Sequence, residues 1–279
     1  MNICCSSNGQ YVYQATIGTI YSSNNYGVSF TPCNTVSTEW QGISCSGNGA
    51  YVIASTWGGE IYNSSNNGSS WTKNNIPQEA SCGGAYISSN AQMMFTFYMG
   101  GKINKSTNSG GNWSATQIDG STNIFYPAIS IAASSSCNII YVSSGGFSNQ
   151  SIMSTNSGTS WTTINVTASA FTGIACSSDG KIVYLVADGG NIYKSTNTGS
   201  TWTPYTNLGT KRWRSICCSS DGKKVTVCTY GSGIYQSLDG GSSWYLIPND
   251  GSNFNSVCCS SDGSVAFVSV NQGDVYSIK

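Results

Sequence analysis

Ser237-Leu238-Asp239-Gly240-Gly241-Ser242-Ser243-Trp244 decides the fold, because its spacing, Ser-x-Asp/Asn-x-Gly-x-x-aromatic, is written six times in the 279 residues. The other copies begin at Ser23, Ser64, Ser106, Ser154 and Ser195 and end on Phe30, Trp71, Trp113, Trp161 and Trp202. The aromatic positions, Trp244 included, lie 41, 42, 48, 41 and 42 residues apart. A fixed period in that range marks a propeller, solenoid or array. Within the box, Asn or Asp accepts local backbone hydrogen bonds and Gly takes the positive-φ position of a tight turn. The closing aromatic should enter the next strand and bury a flat surface worth roughly 4–6 kcal/mol at ~25 cal/mol per Å².

Working outward from the box, 216–248 read as four short strands. Ile216–Ser220 is β-compatible, Asp221-Gly222 predicts a tight hairpin turn, and Lys223–Tyr230 alternates with period two. A third strand runs through Ile234-Tyr235, and a fourth follows the box. Four antiparallel strands per ~40 residues is the grammar of a propeller blade. The same grammar places blades near 1–40, 41–80, 81–126, 127–170, 171–212, 213–254 and 255–279, with hairpin turns at Asn8-Gly9, Asn48-Gly49, Asn90-Ala91, Cys137-Asn138, Asp179-Gly180 and Asp262-Gly263. The expected fold is all-β, a single seven-bladed propeller of four-stranded blades in one domain. Seven inner strands against six boxes predict a three-stranded last blade. Its open edge is a template for pairing, so an oligomer or a partner strand there is the alternative to closure by side-chain packing.

Composition narrows the function. Charged residues are 8% and net charge is zero, with Arg212 and Arg214 the two arginines. No basic stripe suits nucleic acid, no apolar run approaches the ~20 residues of a membrane helix, and no signal peptide is visible. There is no His, so metal sites and His-activated nucleophiles lose their usual partner; no cofactor is expected. Cys5, Cys45, Cys176, Cys218 and Cys259 recur at one repeat position among twelve cysteines, too far apart for disulfides if the repeats are blades. Free thiols favour a reducing intracellular compartment, while the location itself stays open.

The boxes closely resemble the Asp-box (BNR) repeats of sialidases, xyloglucanases, sortilin-type receptors and photosystem II assembly-factor propellers. That resemblance implies a structural box between third and fourth strands, away from the ligand site. Five of the six boxes carry Asn, and Asp239 alone keeps the acid. A sialidase would need three arginines, which two adjacent ones cannot supply. A two-carboxylate glycosidase is the third-ranked reading, with Glu60 and Asp188 the acids to test. The first is a non-catalytic scaffold or assembly factor that binds protein, the second a glycan-binding propeller. The loop face joining second to third strands and blade to blade is expected to display Trp57, Tyr98, Phe125, Tyr126, Phe147 and Tyr230 with Lys211, Arg212 and Arg214. Trp40, Phe171, Trp213 and Phe254 recur three residues before an inner strand, which predicts packing between blades.

Overall fold

The structure is a computed structural model that describes residues 2–76, 82–98, 100–117, 128–145, 151–166, 170–248, 251–270 and 273–279. Two compact units are delimited, Met1–Phe125 and Tyr126–Lys279. The first holds three antiparallel four-stranded sheets, each laid down in chain order. They are β1 (Asn2–Cys5), β2 (Val12–Ala15), β3 (Ile20–Ser23) and β4 (Thr31–Pro32); β5 (Trp40–Cys45), β6 (Val52–Thr56), β7 (Ile61–Ser64) and β8 (Thr72–Lys73); and β9 (Cys82–Ile87), β10 (Met94–Tyr98), β11 (Lys102–Ser106) and β12 (Ser114–Gln117).

The second unit opens with a four-stranded sheet of β13 (Ala128–Ala133), β14 (Ile140–Gly145), β15 (Ser151–Ser154) and β16 (Thr162–Ile164). Then come β17 (Phe171–Cys176), β18 (Val183–Gly190), β19 (Ile192–Ser195), β20 (Thr203–Tyr205), β21 (Lys211–Cys218), β22 (Val225–Thr229), β23 (Ile234–Ser237) and β24 (Tyr245–Ile247). These eight form one continuous sheet, because β18 pairs with β21 through Asp188↔Arg212 and Gly190↔Lys211. The last sheet has three strands, β25 (Phe254–Cys259), β26 (Ala266–Val270) and β27 (Val275–Ile278).

The expectation of seven separate blades is therefore corrected to five separate blades and one eight-stranded sheet. The cause is an extension of a recurring contact. Elsewhere the segment after a second strand touches the start of the next repeat through a single bridge, Ile17↔Glu39 or Tyr230↔Asn253. After β18 that bridge lengthens into a ladder and fuses two repeats.

Second strands are buried on both faces: every residue of β6, β10 and β22 is buried, whereas β4 and β8 are exposed. Apolar cores lie between successive sheets rather than within them. Tyr13, Ala15 and Ile20 of the first sheet pack on Trp40, Ile43, Val52 and Tyr62 of the second, and Ala175, Tyr184 and Val186 pack on Trp213, Ile216 and Val225. Trp40, Phe171, Trp213 and Phe254 are buried in these layers, as expected of packing residues. Each meets a third-strand tyrosine edge-on, Tyr62, Tyr193, Tyr235 or Tyr276, at 5.3–6.4 Å between ring centres. A β-bulge follows each of them, at Trp40/Gly42, Phe171/Gly173, Trp213/Ser215 and Phe254/Ser256. Backbone amides also link successive first hairpins, Ser7 to Gly47 and Gly47 to Ser89 in one unit, Ser135 to Ser178, Ser178 to Ser220 and Ser220 to Ser261 in the other, all at 2.7–2.8 Å from the accepting carbonyl.

All six boxes build one turn. The Ser hydroxyl donates to Asn or Asp Oδ1 at 2.8–3.0 Å and accepts the Gly amide at 2.7–3.0 Å. Gly and the residue before it both adopt positive φ, so five boxes hold a non-glycine residue at φ 57–60° beside the glycine. The sixth uses Gly240. Trp71, Trp113, Trp202 and Trp244 donate Nε1–H to the carbonyl of their own box glycine at 2.9–3.1 Å. These indoles are half-buried, so their burial is worth less than full enclosure would give.

The first hairpins are wider than a two-residue turn. Ser177 Oγ donates to Asp179 Oδ1 at 2.6 Å and accepts the amide of Ile182, with Gly180 at φ 72°. In the fourth repeat the positive-φ residue is Cys137 at 54°, one place earlier than the expected Cys137-Asn138 turn, because Ser136 stands where other repeats place Asn or Asp. All twelve cysteines are free thiols. Burial pushes the Cys176 and Cys228 thiols up to about 12, so both stay protonated near neutrality. Among the described residues no helix is long and apolar enough to cross a membrane.

Candidate functional site

The β18–β21 pairing that fuses two repeats also gathers charge. It sets Asp188 directly opposite Arg212. The bulge after Trp213 leaves Arg214 as an extra residue in β21, and bulges commonly re-aim a side chain. Arg212 Nε lies 3.6 Å from Asp188 Oδ1 and Arg214 Nη1 lies 3.7 Å from Oδ2, so one carboxylate serves two guanidinium groups. Both guanidiniums also lie over the ring of Tyr230, at 4.6 and 5.3 Å from its centre. Lys211 Nζ sits 5.4 Å from the centre of the Tyr235 ring.

Below this cluster Trp213 is fully buried and donates Nε1–H to the Gly190 carbonyl at 2.9 Å, which fixes the strand that carries the arginines. Arg212 is 55% exposed, whereas Arg214 and Asp188 are 29% and 28% exposed. Exposed ion pairs of this kind add at most about 1 kcal/mol each, so the cluster contributes little to stability. Arg214 Nε is buried with no hydrogen-bond partner among the described residues. Two guanidiniums share one carboxylate over one tyrosine ring, an arrangement suited to groups that carry negative charge and a flat π surface.

The structure thus brings together Arg212, Arg214 and Tyr230 of the sequence-predicted set, while Lys211, next in the same strand, lies over Tyr235 instead. Trp57 is 44% exposed, in the loop after β6. Tyr98 is corrected from displayed to buried: it is 0% exposed and its hydroxyl donates to the Gly59 carbonyl at 3.1 Å. Phe125, Tyr126 and Phe147 lie outside the described residues. Sequence reading missed Asp188 as the partner of both arginines. The available signal was the charged run Lys211-Arg212-Trp213-Arg214 preceding a strand and Asp188 ending one, two edges that can pair.

In the first unit, a cleft of about 150 Å³ is lined by Gly59, Glu60, Ile61, Lys73, Asn74, Asn75, Ile76 and Tyr98. Lys73 Nζ lies 2.5 Å from Glu60 Oε1, and the Tyr62 hydroxyl donates to Oε2 at 3.0 Å. The Lys73 hydrogen bond, then that of Tyr62, holds the Glu60 carboxyl below the usual carboxylate range. Glu60 is the carboxylate in this lining, and at neutral pH it is an ionised acceptor rather than an acid.

A family model described as "Sortilin, neurotensin receptor 3" matches residues 59–189. No curated protein matches the chain. Among solved structures, YCF48 bound to D1 peptide superposes with a TM-score of 0.76 at 15% identity, over 99% of this chain and 91% of that one. YCF48 from Cyanidioschyzon merolae gives 0.77 at 16% identity, over 100% of this chain and 94% of that one. The GH74 xyloglucanase from Xanthomonas campestris gives 0.77 at 13% identity over 99% of this chain, which spans 51% of the enzyme. At these identities the likeness is one of fold, and the neighbours include both a peptide-bound protein and a hydrolase. Six phased boxes, each turning between third and fourth strands of such a sheet, complete the assignment: the chain is a β-propeller of the Asp-box (BNR) repeat type.

Proposed function

We propose that the chain is a non-catalytic scaffold that docks a protein segment on the surface formed by Lys211, Arg212, Arg214 and Tyr230. The observation that supports this reading is the sharing of Asp188 by two guanidiniums stacked on one ring. Stacking holds the planar groups in place before a partner arrives, so less entropy is lost on binding. A segment bearing a carboxylate and an aromatic or backbone amide face would compete with Asp188 for the arginines and extend the stack on Tyr230. Trp57, Phe125, Tyr126 and Phe147 are further contact residues in this reading. That a structurally similar protein is described as bound to a peptide is consistent with it.

The test is binding of fluorescent acidic, neutral and basic peptides to wild type and to the Arg212→Ala/Arg214→Ala double variant. Acidic peptides should bind best, weaken as salt rises, and lose at least about tenfold in the variant, as expected for groups worth 1.4 kcal/mol or more. Equal binding of all three classes by wild type and variant would sink the proposal.

A glycan is the second reading, favoured by the exposed Trp57 indole in the loop that leads into the polar Glu60 cleft, where Asn74 Nδ2 is buried with no hydrogen-bond partner among the described residues. Selective retention on a glycan array, lost in Trp57→Ala, would establish it. Hydrolysis is disfavoured because two carboxylates are required and the cleft's lining supplies one. Glycoside turnover abolished by Glu60→Gln or Asp188→Asn would overturn the non-enzymatic reading.

A further inference from the structure

β1 and β5 belong to different sheets but are fastened to each other at both ends. Asn2 Nδ2 donates to the Gln41 carbonyl at one end, and the Ser7 amide donates to Gly47 O at 2.8 Å at the other. Between these ties the Cys4 and Cys45 side chains meet in the layer between the two sheets. Both pack against the same cluster of Tyr13, Val52 and Tyr62, and both are partly exposed.

Repeat logic shows why these two meet although cysteines at one repeat position do not. Cys4 and Cys45 are offset by one place. Cys4 corresponds to Ser44, and Cys45 corresponds to Ile87, each standing just before or two before the serine of the first hairpin. At the next joint the same two places touch again, with the Ile87 amide donating to Ser44 Oγ at 3.3 Å. This offset contact is therefore a property of the architecture, and at the first joint both places hold sulfur.

We infer that Cys4 and Cys45 are an oxidisable pair that closes to a disulfide between the first and second sheets. With a low-molecular-weight disulfide as oxidant, one thiolate of the pair attacks an oxidant sulfur, forming a mixed disulfide and releasing one thiol. The other cysteine loses its proton, attacks the protein-bound sulfur and expels the second thiol. Two electrons and two protons pass from the protein to the oxidant, and one S–S bond is exchanged for another. Burial and the neighbouring Cys45 thiol keep Cys4 protonated near neutrality, so closure should accelerate as pH rises.

The experiment equilibrates the native chain in reduced and oxidised glutathione at pH 8, blocks remaining thiols by alkylation, and maps peptides by mass spectrometry without reduction. The expected result is a Cys4–Cys45 cross-linked peptide, loss of two of the twelve alkylatable thiols, and full reversal by dithiothreitol. Cys4→Ser and Cys45→Ala place at each position a residue that another repeat already carries there, Ser44 and Ala133. Both variants should fold, keep the thermal midpoint of the reduced wild type, and lose the cross-link together with any oxidation-dependent rise in that midpoint. Alkylation of both Cys4 and Cys45 in the oxidised wild type, or linkage of Cys4 to Cys5 instead, would overturn the inference.

Discussion

The joint between the first two sheets and the joint inside the eight-stranded sheet share one backbone plan and differ in what decorates it. In both, a second-strand tyrosine reaches a hairpin glycine carbonyl of the following repeat, Tyr13 to Gly49 at 2.7 Å and Tyr184 to Gly222 at 2.8 Å. Both place a buried tryptophan at the following first strand, Trp40 or Trp213. At the earlier joint the loop end is held by the Ile17↔Glu39 bridge and a Gly18 amide to Thr38 O bond of 2.8 Å, with Ile17 76% exposed. At the later one the same end becomes a ladder crowned by Asp188, Arg212 and Tyr230.

The box end diverges as well. The Gly240 carbonyl accepts from Lys194 Nζ at 2.6 Å and from the hydroxyls of Tyr184 and Tyr205 at 3.1 Å each. A Cβ at Gly240 would lie 3.3 Å from Lys194 Nζ and 3.6 Å from the Tyr184 hydroxyl, so a side chain there would press on the lysine that holds this carbonyl. This joint is therefore tied at both ends, by the β18–β21 ladder at one and by the Gly240 carbonyl at the other.

The largest effects should come from the tryptophans. Either Trp40→Ala or Trp213→Ala removes a buried indole and should lower unfolding free energy by about 3–5 kcal/mol, measured by denaturant titration. Phenylalanine separates the two joints. Trp213→Phe leaves the Gly190 carbonyl without its indole donor and should cost about 1–3 kcal/mol more than packing alone predicts. Trp40 Nε1 has no hydrogen-bond partner among the described residues, so Trp40→Phe should be milder. Equal losses for the two phenylalanine variants would remove the distinction between the joints.

Tyrosine hydroxyls give the next tier. Tyr13→Phe and Tyr184→Phe each delete a donor to a buried carbonyl and should cost about 1–1.5 kcal/mol. Lys194→Met and Tyr205→Phe keep the Tyr184 bond to Gly240 and should each cost less than Tyr184→Phe. A Tyr184→Phe loss smaller than either would mean that the Gly240 carbonyl, rather than the Gly222 one, anchors this joint.

Much of this was legible because turns are local. The Ser-x-Asn/Asp-x-Gly spacing specifies hydrogen bonds within five residues, and every box forms as its sequence predicts. The strand order within the five separate blades follows from hairpins for the same reason. The β18–β21 ladder depends on where two loops from different repeats meet, a relation no local pattern encodes. Tyr98 shows the same limit. It ends an apolar strand just before glycines, as a displayed loop aromatic would, yet its hydroxyl is held in the core by a Gly59 carbonyl 39 residues earlier. The basic cluster was visible as residue types, but its organising carboxylate, Asp188, belongs to the preceding repeat.

The smallest effect concerns the one acidic box. Asp239 accepts the Ser243 amide at 2.8 Å and the Ser243 hydroxyl at 2.6 Å, and these bonds, with that of Ser237, lower its pKa to about 2. In the box at Ser64, Asn66 makes the same turn but donates Nδ2–H to Ser70 Oγ at 2.9 Å, so only the direction of that bond is reversed. Because the folded pKa of Asp239 lies below its ordinary value of 3.8, its contribution is present above that value and is lost as pH falls through about 2. Asp239→Asn should therefore leave the thermal midpoint at pH 7 nearly unchanged and flatten its decline between pH 4 and 2. Asp262, also lowered to about 2 by Ser260 and Ser264, should retain its own share of that decline in the variant. An Asp239→Asn protein that loses stability at pH 7 as well would mean that the charge, and not the turn, is what the sixth box contributes beside the Gly240 clamp.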